Sequence, residues 1–112
     1  MAVISDEFMR GMLSRTKAYS AVLLRRTSKR DAPDADRIVW EHGRRNFALR
    51  AEGSLSIVCP VTAAGDLSGI GIFNRSVEEV HCIMDEDPAV QAGIFTYEVF
   101  PVRSFPGDAL PS

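Results

Sequence analysis

The distribution of apolar and polar residues along the chain predicts four strands and two main helices. The strands are short apolar runs that end at turn residues, namely Lys17–Arg26, Leu55–Pro60, 67–74 and 94–103. The helices are a long one from Asp34 or Asp36 to Gly53, a second that opens with the capping-box pair Ser76 and Glu79, and one further turn between Asp87 and Gly93. The segment 27–33 is predicted as a loop. The resulting order, β-α-β-β-α-β, is the ferredoxin-like pattern of an α+β domain.

Apolar positions on both sides of the predicted strands indicate which faces are covered. We expect the long helix to turn its core face toward the sheet with Val39, Trp40, Gly43, Phe47 and Ala51, and to carry a shoulder at Ile38, His42, Asn46 and Leu49. We expect one sheet face to hold Val22, Leu24, Ile70, Ile72 and Phe100, and the other Tyr19, Leu23, Phe73 and Val99. We expect both helices to cover one face of a four-stranded antiparallel sheet. The other face is also apolar, and the simplest cover for it is the sheet of a second copy, which predicts a two-fold homodimer.

The two ends of the chain lie outside this pattern. Residues 1–16 form an N-terminal arm in which Ser5 caps a short helix with the apolar face Phe8, Met9, Met12 and Leu13. We expect this arm to pack on the domain or on a partner subunit. The domain itself covers residues 17–103, and residues 104–112 are a loop with two prolines and a glycine.

Composition and charge narrow the class of protein. The 112 residues fit one domain, and a net charge of −2 without any long basic run argues against a nucleic-acid surface. Two cysteines are too few for a disulfide-stapled secreted domain, and the N-terminus has the pattern of neither a signal peptide nor a membrane anchor. The expected location is the cytoplasm, with no membrane contact. No metal-binding motif is present.

Three stretches together resemble the YCII-related family of the dimeric α/β-barrel group. They are the spacing His42, Leu49 and Gly53, the following strand that ends in Pro60, and the run from Asp87 to Phe95. The resemblance covers about residues 17 to 103. It implies a homodimer of ferredoxin-like units with a pocket between helix and sheet, and a histidine and an aspartate in that pocket, which match His42 and Asp87. One departure is Cys59 before Pro60, where the family usually has glycine, so a side chain enters that part of the pocket.

His42 and Asp87 are the predicted catalytic residues. An imidazole can take and give a proton near neutral pH, and Asn46, one helical turn later, would orient it. Asp87 would hold the imidazole and stabilise its charged form. The alternatives are a surface histidine on the helix shoulder, and an aspartate that only caps the turn that begins at Pro88.

The remaining candidates lie on strands and on the second helix. Cys59 is either a nucleophile or, as we favour, a small buried apolar residue. Gly71, with Gly69 on the same face, leaves room for a ligand or, as we favour, for an aromatic ring from the long helix such as Trp40 or Phe47. We assign Asn46, Cys59 and Gly71 to substrate binding. His81 is expected to be a partly buried packing residue, and a metal site formed by His42, His81 and Asp87 lacks ligand spacing.

The resemblance implies chemistry on small metabolites, because some relatives are dehydrochlorinases or muconolactone-processing enzymes. We therefore predict His/Asp acid–base catalysis, an elimination or an isomerisation of a small organic or ring-derived metabolite, without a cofactor or a metal. The alternative is a non-catalytic dimeric module that binds a small ligand or another protein. RNA binding on the same fold is disfavoured, because it needs exposed strand aromatics in a basic sheet.

Overall fold

The computed structural model describes all residues from Met1 to Ser112. The helices are α1 (Asp6–Leu13), α2 (Ala35–Ala51), α3 (Val77–Asp85) and α4 (Pro88–Gln91). The strands are β1 (Lys17–Arg26), β2 (Leu55–Pro60), β3 (Leu67–Phe73) and β4 (Phe95–Ser104). The predicted elements are confirmed to within a residue or two at their ends. The predicted loop after β1 differs, because residues Ser28–Asp31 form a 3-10 turn.

The four strands form one antiparallel sheet in the order β2-β3-β1-β4. In this order the two βαβ halves interleave, which is the ferredoxin-like arrangement, so the predicted fold class is confirmed. Helix α2 packs over β2, and α3 packs over β4. None of the four helices combines the length and the apolar composition that a membrane span requires.

The strand register corrects the predicted division of the sheet faces. Val22 pairs with Gly71 of β3 and with Val99 of β4, so these three residues point to the same side. The side covered by helices carries Ser20, Val22, Leu24, Phe73 and Val99, whereas the outer side carries Tyr19, Leu23, Ile70, Ile72 and Phe100. The prediction separated neighbours correctly within each strand but combined the strands with a one-residue offset. The outer side stays apolar and uncovered in the single chain, with Ile70 37% and Phe100 43% exposed.

Helix α2 turns a different face to the core than its apolar pattern predicts. The buried residues Ala35, His42 and Leu49 follow each other at intervals of two helical turns. The predicted core residues Trp40 and Phe47 are 71% and 69% exposed. The core-face prediction is therefore wrong for Trp40 and Phe47, whereas Val39 does pack against the core. The physical reason is that the polar His42 can be buried because a carboxylate elsewhere in the chain accepts its hydrogen bond.

The core lies between the sheet and helices α2 to α4. Its buried apolar residues are Val22, Leu24, Ala35, Leu49, Leu55, Phe73, Val80, Met84, Ala89, Ile94 and Phe95. The predicted capping box at the start of α3 is confirmed, since Ser76 Oγ accepts the Glu79 N–H and the Glu79 carboxylate accepts the Ser76 N–H. This cap fixes where α3 begins and hence where the chain enters α4.

The N-terminal arm extends from the domain. Ser5 caps α1 as predicted, but no residue of α1 is buried, and the whole molecule measures 56 × 30 × 24 Å. The base of the arm is tied to β4, because Arg103 donates a hydrogen bond to Thr16 Oγ1. The arm does not pack on its own domain, so packing on a partner subunit is the part of the expectation that stays a prediction.

Candidate functional site

Asp87 stands at the junction of α3 and α4 and caps the shorter helix. Its backbone is extended, Pro88 occupies the first helical position, and its Oδ2 accepts the N–H groups of Ala89 at 3.0 Å and Val90 at 3.2 Å. The residue is 1% exposed. Both backbone bonds go to one carboxylate oxygen, which leaves Oδ1 to a second partner.

That second partner is His42 on α2. Its Nδ1 lies 2.7 Å from Asp87 Oδ1, and the two side chains are 11% and 1% exposed. An ionised carboxylate only accepts hydrogen bonds, so Nδ1 carries the proton and donates it. In the neutral ring Nε2 then holds a lone pair, which is the form that a general base needs. The structure thus brings together the two predicted catalytic residues, and shows that capping and histidine contact coexist in Asp87.

Asp87 is held in its ionised form. Burial raises the pKa of its carboxyl group, but the hydrogen bond from His42, the charge of that ring and the Val90 and Ala89 N–H groups outweigh it. The net result is a pKa below the ordinary aspartate value. A carboxylate that stays charged at neutral pH can orient an imidazole and stabilise an imidazolium.

Two residues that sequence reasoning missed complete the surroundings of the pair. Arg45 Nη1 lies 3.8 Å from Asp87 Oδ1 and has no hydrogen-bond partner of its own. The buried ring of Phe95 contacts the His42 ring edge to face, with centroids 5.2 Å apart. Arg45 could have been found, because it follows His42 by one turn on the same side of α2. Phe95 had no such signal, since it comes from the far strand β4.

Asn46 contacts the other ring nitrogen. Its Nδ2 lies 3.3 Å from His42 Nε2, and as the amide is oriented it donates to the lone pair there. The two side chains are therefore in contact, as the sequence predicts. A ligand that gives a proton to Nε2 must displace this amide, which can then turn its N–H or its oxygen to the ligand.

A cavity of about 290 Å³ opens beside His42, between α2 and the β2–β3 half of the sheet. Asn46, Cys59 and Gly71 all line it, whereas Asp87 stands behind His42 and does not. Its wall is mostly apolar, formed by residues such as Val22, Leu24, Leu55, Val58, Phe73 and Met84. The volume is close to the lower end of the range of small-molecule pockets.

The glycines of β3 shape the floor of the cavity. A Cβ added at Gly71 would meet Leu55 Cδ1 at 3.3 Å, and one at Gly69 would meet Leu24 at 3.6 Å. Trp40 and Phe47 are mostly exposed, and although Phe47 borders the cavity, neither ring is among the nearest atoms that a Cβ at Gly69 or Gly71 would meet. The favoured expectation of a covering ring is wrong, and the space is cavity. Cys59 is a half-buried free thiol at the end of β2, so it does reach the cavity wall.

His81 lies elsewhere. It is exposed on α3, where its Nδ1 is 3.0 Å from the Tyr97 hydroxyl, and that hydroxyl donates to Asp85 at 2.6 Å. The expectation of a partly buried histidine is therefore wrong. Burial and the Asp85 carboxylate raise the pKa of Tyr97 to about 12. No cluster of three His, Cys, Asp or Glu side chains could hold a metal ion, so the alternative of a metal site at His42, His81 and Asp87 is not formed.

Comparison with solved structures finds several chains of similar fold. No family model matches the chain, and no curated protein sequence matches it. A solved structure that does match is 5-chloro-2-hydroxyhydroquinone dehydrochlorinase from Burkholderia phenoliruptrix AC1100, in complex with 2,5-dihydroxybenzoquinone. The TM-score is 0.51 at 19% sequence identity, over 73% of this chain and 90% of that chain. At this identity the likeness concerns the fold, and part of this chain has no counterpart.

Proposed function

We propose that this protein is a YCII-related homodimer that transfers protons on a small ring-derived metabolite, with His42 as the acid–base group. The observation that supports it most is the 2.7 Å bond between His42 Nδ1 and Asp87 at the wall of an apolar cavity. A buried aspartate of this kind fixes the tautomer of a histidine and stabilises its cation. Asp87 is a positioning residue in this proposal, because it acts through His42.

The proposed reaction is redox-neutral. The lone pair of His42 Nε2 takes a proton from a substrate carbon beside a carbonyl group, and the electron pair of the broken C–H bond moves toward that carbonyl. In an isomerisation the imidazolium returns the proton to another carbon. In an elimination a leaving group departs with its bonding electrons, and the imidazolium later releases the proton to water. Asp87 stabilises the imidazolium in both cases, and the attraction between the two charges is stronger than in water because the pair is buried.

Cavity and neighbour suggest the class of substrate. The apolar wall and the small volume suit a single ring, and Asn46 offers one hydrogen bond beside His42. The dehydrochlorinase of similar fold acts, by its name, on a chlorinated hydroxyhydroquinone and is bound to a dihydroxybenzoquinone. We therefore propose a neutral or weakly acidic ring compound with a carbonyl or an acidic hydroxyl group.

The homodimer part of the proposal rests on the outer face of the sheet. Tyr19, Leu23, Ile72, Ile70 and Phe100 form an apolar surface there that no element of the chain covers. Monomeric proteins seldom expose a contiguous apolar surface of this kind. Two copies that stack these faces about a two-fold axis would cover it on both sides.

A second candidate is a module that binds a small ligand without turning it over. Two observations favour it: both oxygens of Asp87 are already used, and His42 Nε2 already has Asn46 as a partner. A buried histidine that is satisfied at both nitrogens is also what a purely structural role would produce.

Deuterium exchange separates the two candidates. Single-ring lactones and hydroxyquinones are screened for binding by NMR, and the ligands that bind are incubated with the protein in D₂O. We expect an acidic C–H of a bound ligand to exchange faster with the parent protein, and this acceleration to be lost in His42→Gln. The matched control is His81→Gln, which removes an exposed histidine outside the cavity and leaves the exchange unchanged. Binding without accelerated exchange, or exchange that persists in His42→Gln, would contradict the proposed chemistry.

A further inference from the structure

Helix α1 has an apolar side with nothing packed on it. Phe8, Met9 and Leu13 are 53%, 48% and 54% exposed, and they share one side of the helix with Met12. The acidic residues of the first turn, Asp6 and Glu7, form no ion pair. A short amphipathic helix gains most of its stability from the packing of its apolar side. We therefore expect the apolar side of α1 to pack on another surface.

Helix α2 carries a second uncovered apolar surface, which we call the outward stripe and define as Trp40, Gly43 and Phe47. Trp40 lies on the side of α2 opposite to the buried Leu49, and Gly43 and Phe47 lie between that side and the cavity. A Cβ at Gly43 would meet nothing within 4 Å, so a notch lies between the two large rings. The rings are two helical turns apart, about 10 Å, whereas α1 is about 12 Å long. The two surfaces match in length.

Charge also matches across the two surfaces. Arg37 and Arg50 flank the outward stripe on its two sides and have no ion pair. Asp6 and Glu7 of the arm bring two free carboxylates beside its apolar side. Contacts between exposed charges add little free energy, but they favour one orientation of docking over the reverse.

The strand order separates the arm from the stripe of its own chain. The arm continues from the start of β1 and is tied by Thr16 to Arg103 of β4, the edge strand at one side. Helix α2 packs over β2, the edge strand at the other side. Three strand spacings, roughly 14 Å, and the thickness of the helix layer lie between them. Only the three residues between Leu13 and β1 link α1 to the domain, and three residues reach at most about 11 Å.

We propose that the N-terminal arm of one copy docks on the outward stripe of a second copy, with Phe8, Met12 and Leu13 against Trp40 and Phe47. The proposal holds whether or not His42 is catalytic. It has a consequence for the cavity, because Phe47 and Gly43 belong both to the stripe and to the cavity wall. A docked arm therefore borders the entrance to His42, so that each site is flanked by residues of the other copy.

Trp40 is the single tryptophan of the chain and reports directly on the docking. One chain carries Phe8→Ser and Leu13→Ser and keeps Trp40. A second chain keeps the intact arm and carries Trp40→Phe. The two are co-expressed with different affinity tags, and the mixed oligomer is isolated through both tags. Since Phe8 and Leu13 are more than half exposed in the single chain and belong to no part of the core, we expect their replacement to leave the fold intact.

Tryptophan emission in the mixed oligomer can be shielded only by the arm of the other copy. We expect the emission to shift to shorter wavelength, and acrylamide quenching to fall, relative to the arm-substituted chain alone. The matched control is Leu110→Ser in the otherwise parental chain, which removes an exposed apolar residue from the C-terminal tail and leaves Trp40 as shielded as in the parent. Three results would overturn the proposal: no mixed oligomer, a mixed oligomer with unshielded Trp40, or shielding in the parent that the mixed oligomer lacks, which would indicate the chain's own arm.

Discussion

Replacing Asp87 with alanine removes a helix cap and a buried hydrogen-bond acceptor together, and the two costs can be separated. Loss of a cap costs about 1 kcal/mol, and a buried donor without a partner costs about 1–3 kcal/mol more. We therefore expect Asp87→Ala to lower the free energy of unfolding by roughly 2–4 kcal/mol. His42 Nδ1 is that donor, at 2.7 Å from the lost carboxylate.

A double-mutant cycle with His42→Phe isolates the bond between the two side chains. Phenylalanine keeps a ring beside Phe95 but cannot donate, so each single variant removes the bond without adding a new one. Asp87→Asn would not serve here, because its amide could donate to Nδ1 after a change of tautomer. For a buried hydrogen bond to a charged group we expect a coupling of roughly 1.5–3 kcal/mol.

The assay is urea unfolding at pH 7, followed by far-UV circular dichroism at one fixed protomer concentration, because association would otherwise shift the midpoint. The control cycle pairs His42→Phe with Ser76→Ala, which removes the cap of α3 and does not touch His42. Those two changes should add within about 0.5 kcal/mol. A coupling between His42 and Asp87 that is equally small would refute the reasoning and leave Asp87 as a cap alone.

Three further predictions follow from the same structure. Because the pKa of Asp87 is lowered in the folded state, the stability that its carboxylate contributes is present above the pKa of the unfolded chain and is lost as pH falls through the folded value. The difference in free energy of unfolding between the parent and Asp87→Asn, measured with urea, should therefore shrink below about pH 4. A difference that grows at low pH would contradict this prediction. Gly71→Val should fill the cavity floor, abolish ligand binding in NMR titrations and cost about 1–3 kcal/mol, whereas Gly11→Val, at an open position of α1, should leave binding unchanged. Light scattering at micromolar concentration should give about twice the 12.3 kDa chain mass, since stacked sheet faces would bury on the order of 2,000 Å²; a monomer would remove the support for the dimer.

The boundaries of the helices and strands could be predicted because they depend on residues that are close together in the sequence. The alternation in β1 and the capping box at Ser76 depend on residues within one element, and each is found as predicted. The division of the sheet faces could not be predicted in this way. Each strand shows which of its residues alternate, but not how it is offset against its neighbour, and an offset of one residue exchanges the faces. Hence the sequence alone groups Val22 with Ile70, although the partner of Val22 on β3 is Gly71.

The same limit explains the error in α2 and the success at the site. Hydrophobicity favours burial of Trp40 and Phe47, and it contains no information that Asp87, 45 residues after His42, supplies the acceptor that permits a buried histidine. The pair itself was predicted only from the resemblance to a family. The cavity over Gly69 and Gly71 depends on the rotation of α2, so it too is a property of the packed chain and not of any one segment.

One oxygen of Asp87 binds the backbone of α4 and the other binds His42, so the alignment of the imidazole depends on whether this very short helix is closed or open. The amides of Ala89 and Val90 and the imidazole of His42 are held by one carboxylate, so a fluctuation that releases the amides also disturbs the imidazole. Local opening of such elements takes less free energy than global unfolding. Exchange of these two backbone hydrogens with solvent therefore measures how much of the time the histidine is correctly aligned.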